Sequence, residues 1–571
     1  MSLARYPREE LASDVLVVGG GLAGLVAAWA ALRSGTRVVV VCKGYAGADG
    51  VSPFAGGVAL YLLPEDDKER FLDEHEQAVE GLVHREAVCR VAEASARLWQ
   101  ELGALGAPLE HTSEGGLGRR WLKVGSRIHV PRLALESVGL LRFLRRLVRR
   151  SVAQIVDHAC LTALLPSRQG GVAGAAGFLR QRGSLLAIRA RAVVLAAGGC
   201  AWRGAHMGVH SAMGEGYGLA AEAGAALAGM EYCVSYIATC NLFDSHGQCV
   251  LAALGGRFRN RLGENILERH GEPDPAPTQR LALAMLTEIR EGRGPIYFDL
   301  RGISEADRRR WETDFPLVAK GLARTGVDVF TQPVPWIPGF TGSIGAGGGV
   351  FARSLSGDTT VSGLFVAGDT ASRLPVVGAG SGITYMNLSW AIASGFWAGC
   401  AAARWAREVR PGGLDETEIA AAWEAALAPL RRERGPDPVE ILRRLQRLVV
   451  DPEVNFFRSG PGLAAAQARA EEIWQDAGRA RAQDGHRLAQ CHEVRHAALT
   501  AHAMFTAALA RQETRGWHRR LDFPQRGDIR WRRWTLAQPT LRPGGLGWTL
   551  TTLEYEDQEV FQPCPLGGEA P

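Results

Sequence analysis

Apolar residues fall in two patterns along the chain. Short continuous runs at Val15–Val18, Val38–Val41 and Ala190–Leu195, and the stretch Gly363–Asp369 (GLFVAGD), predict buried strands; such runs mark strands covered on both faces. Between them, small and apolar residues recur at helical spacing. This predicts helices over Leu25–Arg33 (which Gly35 is placed to end), within 66–105, and over Leu133–Arg150, Tyr217–Ala226, Gln279–Arg290 and Asn387–Trp405. Beyond the turn Pro411-Gly412-Gly413 the pattern is helical to about Arg515, and the tail to Pro571 mixes short strands with turns. Residues 44–57 and 112–131, rich in small residues, read as loops, and Val152–Ser167 as a short strand and turn opening a small β region.

One stretch organises the rest. Residues 13–43 run strand, glycine turn, helix, strand, with Gly19-Gly20-Gly21-Leu22-Ala23-Gly24 as the turn. That order is the β-turn-α-β unit of a dinucleotide fold. Gly19 lets the chain turn out of the strand, Gly21 lets a pyrophosphate approach the backbone, and Gly24 lets the helix pack on the sheet. Phosphates would sit at the helix N-terminus, where free N–H groups and the helix dipole favour negative charge. Residues 237–345 differ in character, with polar loops, the strand Ile296–Leu300 and a Pro/Gly-rich exit, and read as an inserted domain. The expected division is 13–236 and 346–410 for the two parts of the dinucleotide domain, 237–345 for a cap, and 411–571 for a helical C-terminal domain with an irregular tail.

Composition narrows the function class. With 571 residues, 46% hydrophobic and 22% charged, the chain reads as soluble, globular and multidomain. A net charge of +5 is mild for this length and points to neither nucleic acid nor a membrane surface. The basic run Arg142–Arg150 has helical spacing and reads as a solvated face. The ten cysteines are scattered and form no CxxC pair, which argues against an iron–sulfur or zinc site in this chain; no metal is expected. The start of the chain is too polar for a signal sequence, and the nearest approach to a membrane span, Ile392–Ala403, is short and glycine-broken. A cytoplasmic protein with reduced thiols is expected, at most peripheral to a membrane through a partner.

Several stretches, in order, resemble the fumarate reductase/succinate dehydrogenase flavoprotein family, which includes aspartate oxidase and adenylylsulfate reductase α-subunits. They are VVGGGLAGLVAA (17–28), AVVLAAGG (192–199), MGEGYGLAAEAGA (213–225), MEY (230–232), GGRFRNRLGE (255–264), FDLRGI (298–303) and GLFVAGD (363–369). ALARQETRGWHRRLDFP (508–524) resembles the family element RxESRGxHxRxDyP. The resemblance spans nearly the whole chain. It implies an α/β fold: a Rossmann-like FAD-binding domain of GR2 type, interrupted by an α+β capping domain and followed by a helical C-terminal domain. The cofactor it implies is FAD. The implied contacts are Gly19, Gly21, Leu22, Ala23, Gly24, Cys42, Lys43, Gly56, Gly57, Ala197, Gly198, Gly214, Glu215, Gly368, Asp369, Gly382, Asn387 and Leu388, with Asp369 accepting from ribityl hydroxyls and Asn387 near the flavin's pyrimidine end.

Three departures from the family pattern carry information. Cys42 stands where a ribose-binding acid is expected. Gly50 stands where complex-type members attach FAD through a His, and no His lies between Arg37 and Asp73, so FAD should be noncovalent. The family's dicarboxylate-binding His, His and Arg fall near Tyr236, near Ile344 and within Gly380–Gly382. Two carboxylates need fixed cations, because burying an unpaired carboxylate is costly. The loop Val377–Ile383 resembles instead the GAG-containing loop of 3-ketosteroid dehydrogenases.

Family chemistry is hydride transfer at a carbon beside an activating carbonyl, with a proton moved on the adjacent carbon. By resemblance Arg280 falls where the reductases carry their proton donor; its other reading is a solvated arginine at a helix start. Tyr236 is either a hydrogen-bond donor or acid/base toward substrate, or a core aromatic. Glu231 matches the family's MEF glutamate, with a structural or relay role. His210 and His246 are the nearest histidines, Trp336 is placed on the cap, and His518 and Arg519 are placed to tie the C-terminal domain to the FAD domain. Three functions remain open: an FAD-dependent dehydrogenase or enoate-type reductase acting on a small molecule other than fumarate or succinate; a flavoprotein subunit with a separate iron–sulfur or other electron-transfer partner; and a non-catalytic flavin module.

Overall fold

The four valines Val38–Val41 lie parallel to the strand Arg8–Val18, with Val15 opposite Val38 and Val18 opposite Val41. They seed a seven-stranded sheet in the order Gln154–Val156, Val38–Val41, Arg8–Val18, Leu185–Leu195, Val172–Leu179, Ala159–Pro166. Leu185–Leu195 serves two neighbours on one side: its first half pairs antiparallel with Val172–Leu179, and its end pairs parallel with Leu364–Val366. Parallel strands must be covered on both faces, and the helices Leu22–Arg33 and Thr384–Glu408 supply one cover. They approach closely because the second presents glycines: a Cβ on Gly395 would stand 2.4 Å from Ala23 O, and one on Gly399 2.2 Å from Ala27 O. The computed structural model describes residues 3–55, 58–124, 128–134, 136–151, 153–204, 208–240, 242, 255–274, 276–314, 316–381, 384–409, 413–540 and 545–554.

Some elements differ from the pattern-based reading. The first strand begins at Arg8 because Arg8–Ser13 pair with Leu185–Ala190; those residues are mostly solvent-facing, so hydrophobicity could not mark them. Residues 112–131, expected as loop, contain Arg119–Val124 and the start of Ile128–Ala134, two strands that join Val58–Leu60 in a three-stranded sheet. The helical region 66–105 is two helices, Lys68–Ala78 and Arg85–Ala104. Glu80, Gly81 and Leu82, at φ +60°, +81° and +63°, break it between them. On the helix Ser137–Arg150, Leu140, Leu141, Leu144 and Val148 are buried. Arg145 departs from a purely solvated face, since it pairs with Asp157 (2.7 Å) and lies over the Tyr45 ring.

The segment between the two parts of the dinucleotide domain builds its own antiparallel sheet, ordered Tyr236–Cys240, Val334–Phe340, Ile296–Asp299, Arg257–Arg259. The strands that are first and last in the chain, Tyr236–Cys240 and Val334–Phe340, pair with each other, so the chain enters and leaves the cap side by side. Phe258, Phe298 and Trp336 pack as tilted rings through its core at centroid spacings of 4.6 and 5.0 Å. Helices Glu416–Arg431, Pro438–Val450, Gly460–Gly478 and Gly485–Ala510 follow. In the described part of the tail, Arg533–Pro539 and Trp548–Glu554 pair, and the former joins Leu227–Ala228 of the dinucleotide domain.

A buried ionic network fixes that docking. Arg511 donates to Glu231 (2.7 Å) and Glu513 (2.7 Å), Arg515 donates to Glu513 (2.9 Å), and all four are fully buried. Removing one member of such a buried pair would leave the other's charge uncompensated. The eight described cysteines are free thiols, and among the described residues no helix is long and apolar enough to cross a membrane.

Candidate functional site

Three parallel strands end together, at Val18, Leu195 and Val366. The segments that follow them, Gly19–Gly24, Ala196–Gly199 and Ala367–Thr370, meet at the C-terminal edge of the sheet, where α/β folds bind ligands. Gly19 has φ +119°, and a Cβ there would overlap Ala196 O at 2.0 Å. Gly24 touches the same turn: its Cβ would lie 2.0 Å from Gly19 O. Gly21 is the extended N-cap of the helix, and the helix begins at Leu22, whose N–H donates to Ser52 Oγ (3.1 Å). Gly368, at φ +62°, lies over Ala23. Thr370 Oγ1 donates to Gly198 O (2.9 Å), and Tyr217 OH donates to Asp369 O (2.7 Å). Ala197 and Gly214 complete the ring: Gly214 N donates to Gly199 O, and a Cβ on Gly216 would meet Thr370 and Ala197.

The cradle has a polar wall. Asn387 Oδ1 accepts from Arg373 Nη1 (2.9 Å), and Arg373 Nε donates to Ala346 O (3.1 Å). Asp369 stands 3.6 Å from the same guanidinium, its carboxylate partly exposed. Leu388, beside Asn387, is buried. A helix N-terminus whose first N–H meets the Ser52 hydroxyl, a partly exposed carboxylate and a buried arginine whose Nη2 has no partner among the described residues are donors and acceptors that fit FAD: the helix start for its pyrophosphate, Asp369 for its hydroxyls.

Two expected contacts are engaged elsewhere. Lys43 Nζ donates to Glu215, to Glu493 Oε1 (2.8 Å) and to Ser211 O (2.8 Å). Burial disfavours its charge, but the two carboxylates raise its pKa above the ordinary lysine value. Glu215 also accepts from Met213 N, so its carboxylate and the Lys43 ammonium serve each other. Cys42 is buried against Gly20, and burial pushes its thiol up to about 11, so it is a neutral group where an acid was expected. Gly56, Gly57 and Gly382 lie outside the described residues, as does His246.

On the cap side the arrangement is mostly apolar. Tyr236, read from sequence as either a substrate-facing group or a core aromatic, takes the second place: it donates its hydroxyl to Val450 O (3.0 Å) and packs edge-on against Phe340 and Phe456. Burial raises its pKa. Ile344 packs with Val51, Ala201, Val209 and Ala212. Ser381 is buried with its hydroxyl unpartnered among the described residues. Trp336 lies in the cap core. Glu231 is the fully buried partner of Arg511. Arg280 sits at the cap's edge, with Nε 3.2 Å from Glu80 Oε1 and Nη1 3.5 Å from Glu272 Oε1. His210 is exposed, 4.0 Å from Asp49. Tyr385 OH donates to His75 Nδ1 (2.7 Å), whose Nε2 donates to Val376 O (2.7 Å), so this pair is buried and neutral. Among the described residues, no cluster of His, Cys, Asp and Glu is arranged to hold a metal ion.

Sequence reasoning missed Ser52, Tyr217, Thr370 and Arg373. Ser52 and Thr370 act through ordinary hydroxyls that no spacing marks. Arg373 left one signal, a lone arginine in the small-residue run after GLFVAGD.

Residues 14–385 match the family described as FAD binding domain, and 443–563 match that described as fumarate reductase flavoprotein C-term. The chain is 29% identical to the L-aspartate oxidase of Streptomyces coelicolor, over 93% of this chain and 92% of that protein. It is 25% identical to the mitochondrial succinate dehydrogenase [ubiquinone] flavoprotein subunit of Oryza sativa subsp. japonica, over 92% and 88%. The FrdA chain of E. coli quinol fumarate reductase has the same fold, with a TM-score of 0.85 at 23% identity over 98% of this chain and 100% of that one.

Proposed function

The chain belongs to the fumarate reductase/succinate dehydrogenase flavoprotein family and is an FAD-dependent oxidoreductase, and from that premise we propose that it transfers hydride at a C–C bond beside an activating group of a small molecule that is not a C4 dicarboxylate. The observation that carries this reading is the neutral, largely apolar set Tyr236, Ile344 and Ser381 at the places where family resemblance puts dicarboxylate cations. A substrate with two carboxylates, aspartate included, would be left with uncompensated charge there. Gly50 in place of an attachment histidine supports noncovalent FAD.

Bound FAD supplies the two-electron hydride acceptor or donor. The chain would position it: Gly21 leaves room at the helix end for the pyrophosphate, Asp369 would accept from its hydroxyls, and Asn387 offers a polar group toward its pyrimidine end. Ile344 and its apolar neighbours keep water from the reacting carbon. Arg280 delivers the proton to the adjacent carbon, and a proton taken from solvent by Glu80 or Glu272 is passed back to it, since an arginine donates only where a proton donor resupplies it. Electrons then pass to or from a separate carrier: an iron–sulfur or other protein partner, a quinone, O2 or a soluble carrier.

Acid precipitation of the purified yellow protein should release FAD into the supernatant; flavin retained in the pellet, or a colourless chain, contradicts the reading. A substrate screen by flavin bleaching should favour an apolar carbonyl-activated alkane or alkene. Turnover of fumarate, succinate or L-aspartate at ordinary rates would sink it. Arg280→Ala should slow the proton-coupled step by about 10²–10⁴-fold with FAD content unchanged; an unaltered rate removes Arg280 from the chemistry.

A further inference from the structure

Arg373 is a buried cation with little to compensate it. Its guanidinium is fully buried. The nearest carboxylate among the described residues, Asp369, is 3.6 Å away, beyond hydrogen-bond reach. Its two hydrogen bonds go to neutral acceptors, Ala346 O and Asn387 Oδ1. Nη2 has no partner among the described residues and stands 3.3 Å from where a Gly345 side chain would begin. Burial lowers its pKa, yet an arginine stays protonated. Filling space alone would call for an apolar side chain, because an under-paired buried charge is destabilising. The charge therefore needs a counterpart, and Arg373 touches the two side chains that face the cradle, Asp369 and Asn387.

We propose that Arg373 is a positioning residue that orients Asp369 and Asn387 toward the cofactor and holds a fixed positive charge behind it, stabilising the negative charge that the isoalloxazine acquires on reduction. This rests on the reading that FAD occupies the cradle. Hydride uptake breaks the donor's C–H bond, forms N5–H, and leaves one negative charge on the ring at the N1/C2-carbonyl side. Sulfite does the same without a substrate: its lone pair forms an N5–S bond, and the same negative charge appears in the ring. A cation behind the cradle favours both products over oxidised flavin.

The test uses the FAD-loaded full chain as wild type, Arg373→Gln and Arg373→Lys. Midpoint potential is measured by dye equilibration and sulfite affinity by flavin bleaching. Arg373→Gln keeps hydrogen-bonding capacity and loses the charge. It should lower the potential and weaken sulfite binding by about tenfold or more. Arg373→Lys keeps the charge and should stay near wild type on both. A Gln variant with wild-type potential and sulfite affinity overturns the proposal, whatever its FAD affinity, and leaves Arg373 a packing residue. If the Gln variant does not fold or retain FAD, Arg373→Met takes its place as the uncharged variant: a lowered potential with weaker sulfite binding supports the charge role, and wild-type values overturn it. Failure of the cofactor reading looks different, because the wild-type chain itself would then hold no FAD.

Discussion

A methyl group at Gly24 would stand 2.0 Å from Gly19 O, and neither atom can yield because one belongs to a strand turn and the other to a helix packed on the sheet. Gly24→Ala should cost about 1–3 kcal/mol and shift the helix end that receives the pyrophosphate. FAD content by absorbance, together with a urea melt, checks this; full occupancy at wild-type stability contradicts it. Lys43 makes a different argument. It is the hub between Glu215 and Glu493, and Arg203 reaches Glu493 from the other side. Lys43→Met strands Glu215 among buried neighbours and should destabilise the chain by about 3–5 kcal/mol. Lys43→Met combined with Glu215→Gln should recover part of that loss in the same urea titration. Glu80 is also notable at this scale: a non-glycine residue in left-handed backbone that reaches Arg280 and accepts from Gly516 N (2.9 Å). Such strain is retained where neighbours over-determine it.

Among the elements, the cap helix Thr278–Arg290 is held from its C-terminal end by Glu288. The Glu288 carboxylate is fully buried and accepts from Arg293 (2.6 and 2.9 Å), Asn260 (2.9 Å) and His270 (2.7 Å). Burial alone would raise its pKa, but these partners outweigh burial and hold it at about 2, against an ordinary value near 4.5. A carboxylate depressed by folding adds stability above its unfolded pKa, and that stability is lost as pH falls through the folded one. The cap should therefore loosen between pH 4.5 and about 2. In Glu288→Gln that pH dependence should shrink to the part carried by Asp299, which Arg301 and Arg259 also hold below the usual carboxylate range, and the cap should be looser already at neutral pH. Hydrogen exchange across residues 257–299 measures both; an unchanged acid limb in the variant contradicts the assignment.

Across the whole molecule, buried neutral histidines set a second pH limit. Burial pushes His75, His492 and His502 down to about 4 from an ordinary value of 6.5. The unfolded chain takes up their protons below 6.5 while the folded chain does not, so stability should fall from pH 6.5 toward 4. Melting temperature against pH should decline across that window, above the range in which ordinary carboxylates titrate. A flat profile from 6.5 to 5 would contradict it. These histidines lie in different places: His75 under the start of the helix Thr384–Glu408, and His492 and His502 on Gly485–Ala510. The decline should therefore be global rather than confined to the cap.

Sequence alone determined the dinucleotide turn, the FAD-binding α/β fold and the family, because each is carried by contiguous residues whose local conformation needs them: glycines at tight approaches, valine runs buried on both faces. It could not mark the polar half of the first strand, the hairpin beginning at Arg119 or the pairing of the tail with Leu227–Ala228, because those strands are held by neighbours distant in the chain rather than by their own hydrophobicity. The same limit applied at the site. Resemblance placed Glu215 and Tyr236 at the cradle, but only tertiary structure put Lys43 on the one and the Val450 carbonyl on the other. It also carried Arg373, which the linear pattern passed over, behind Asn387 and Asp369. Which groups are left free to meet a ligand depends on what every other segment has already satisfied, and that is decided only when the chain is folded.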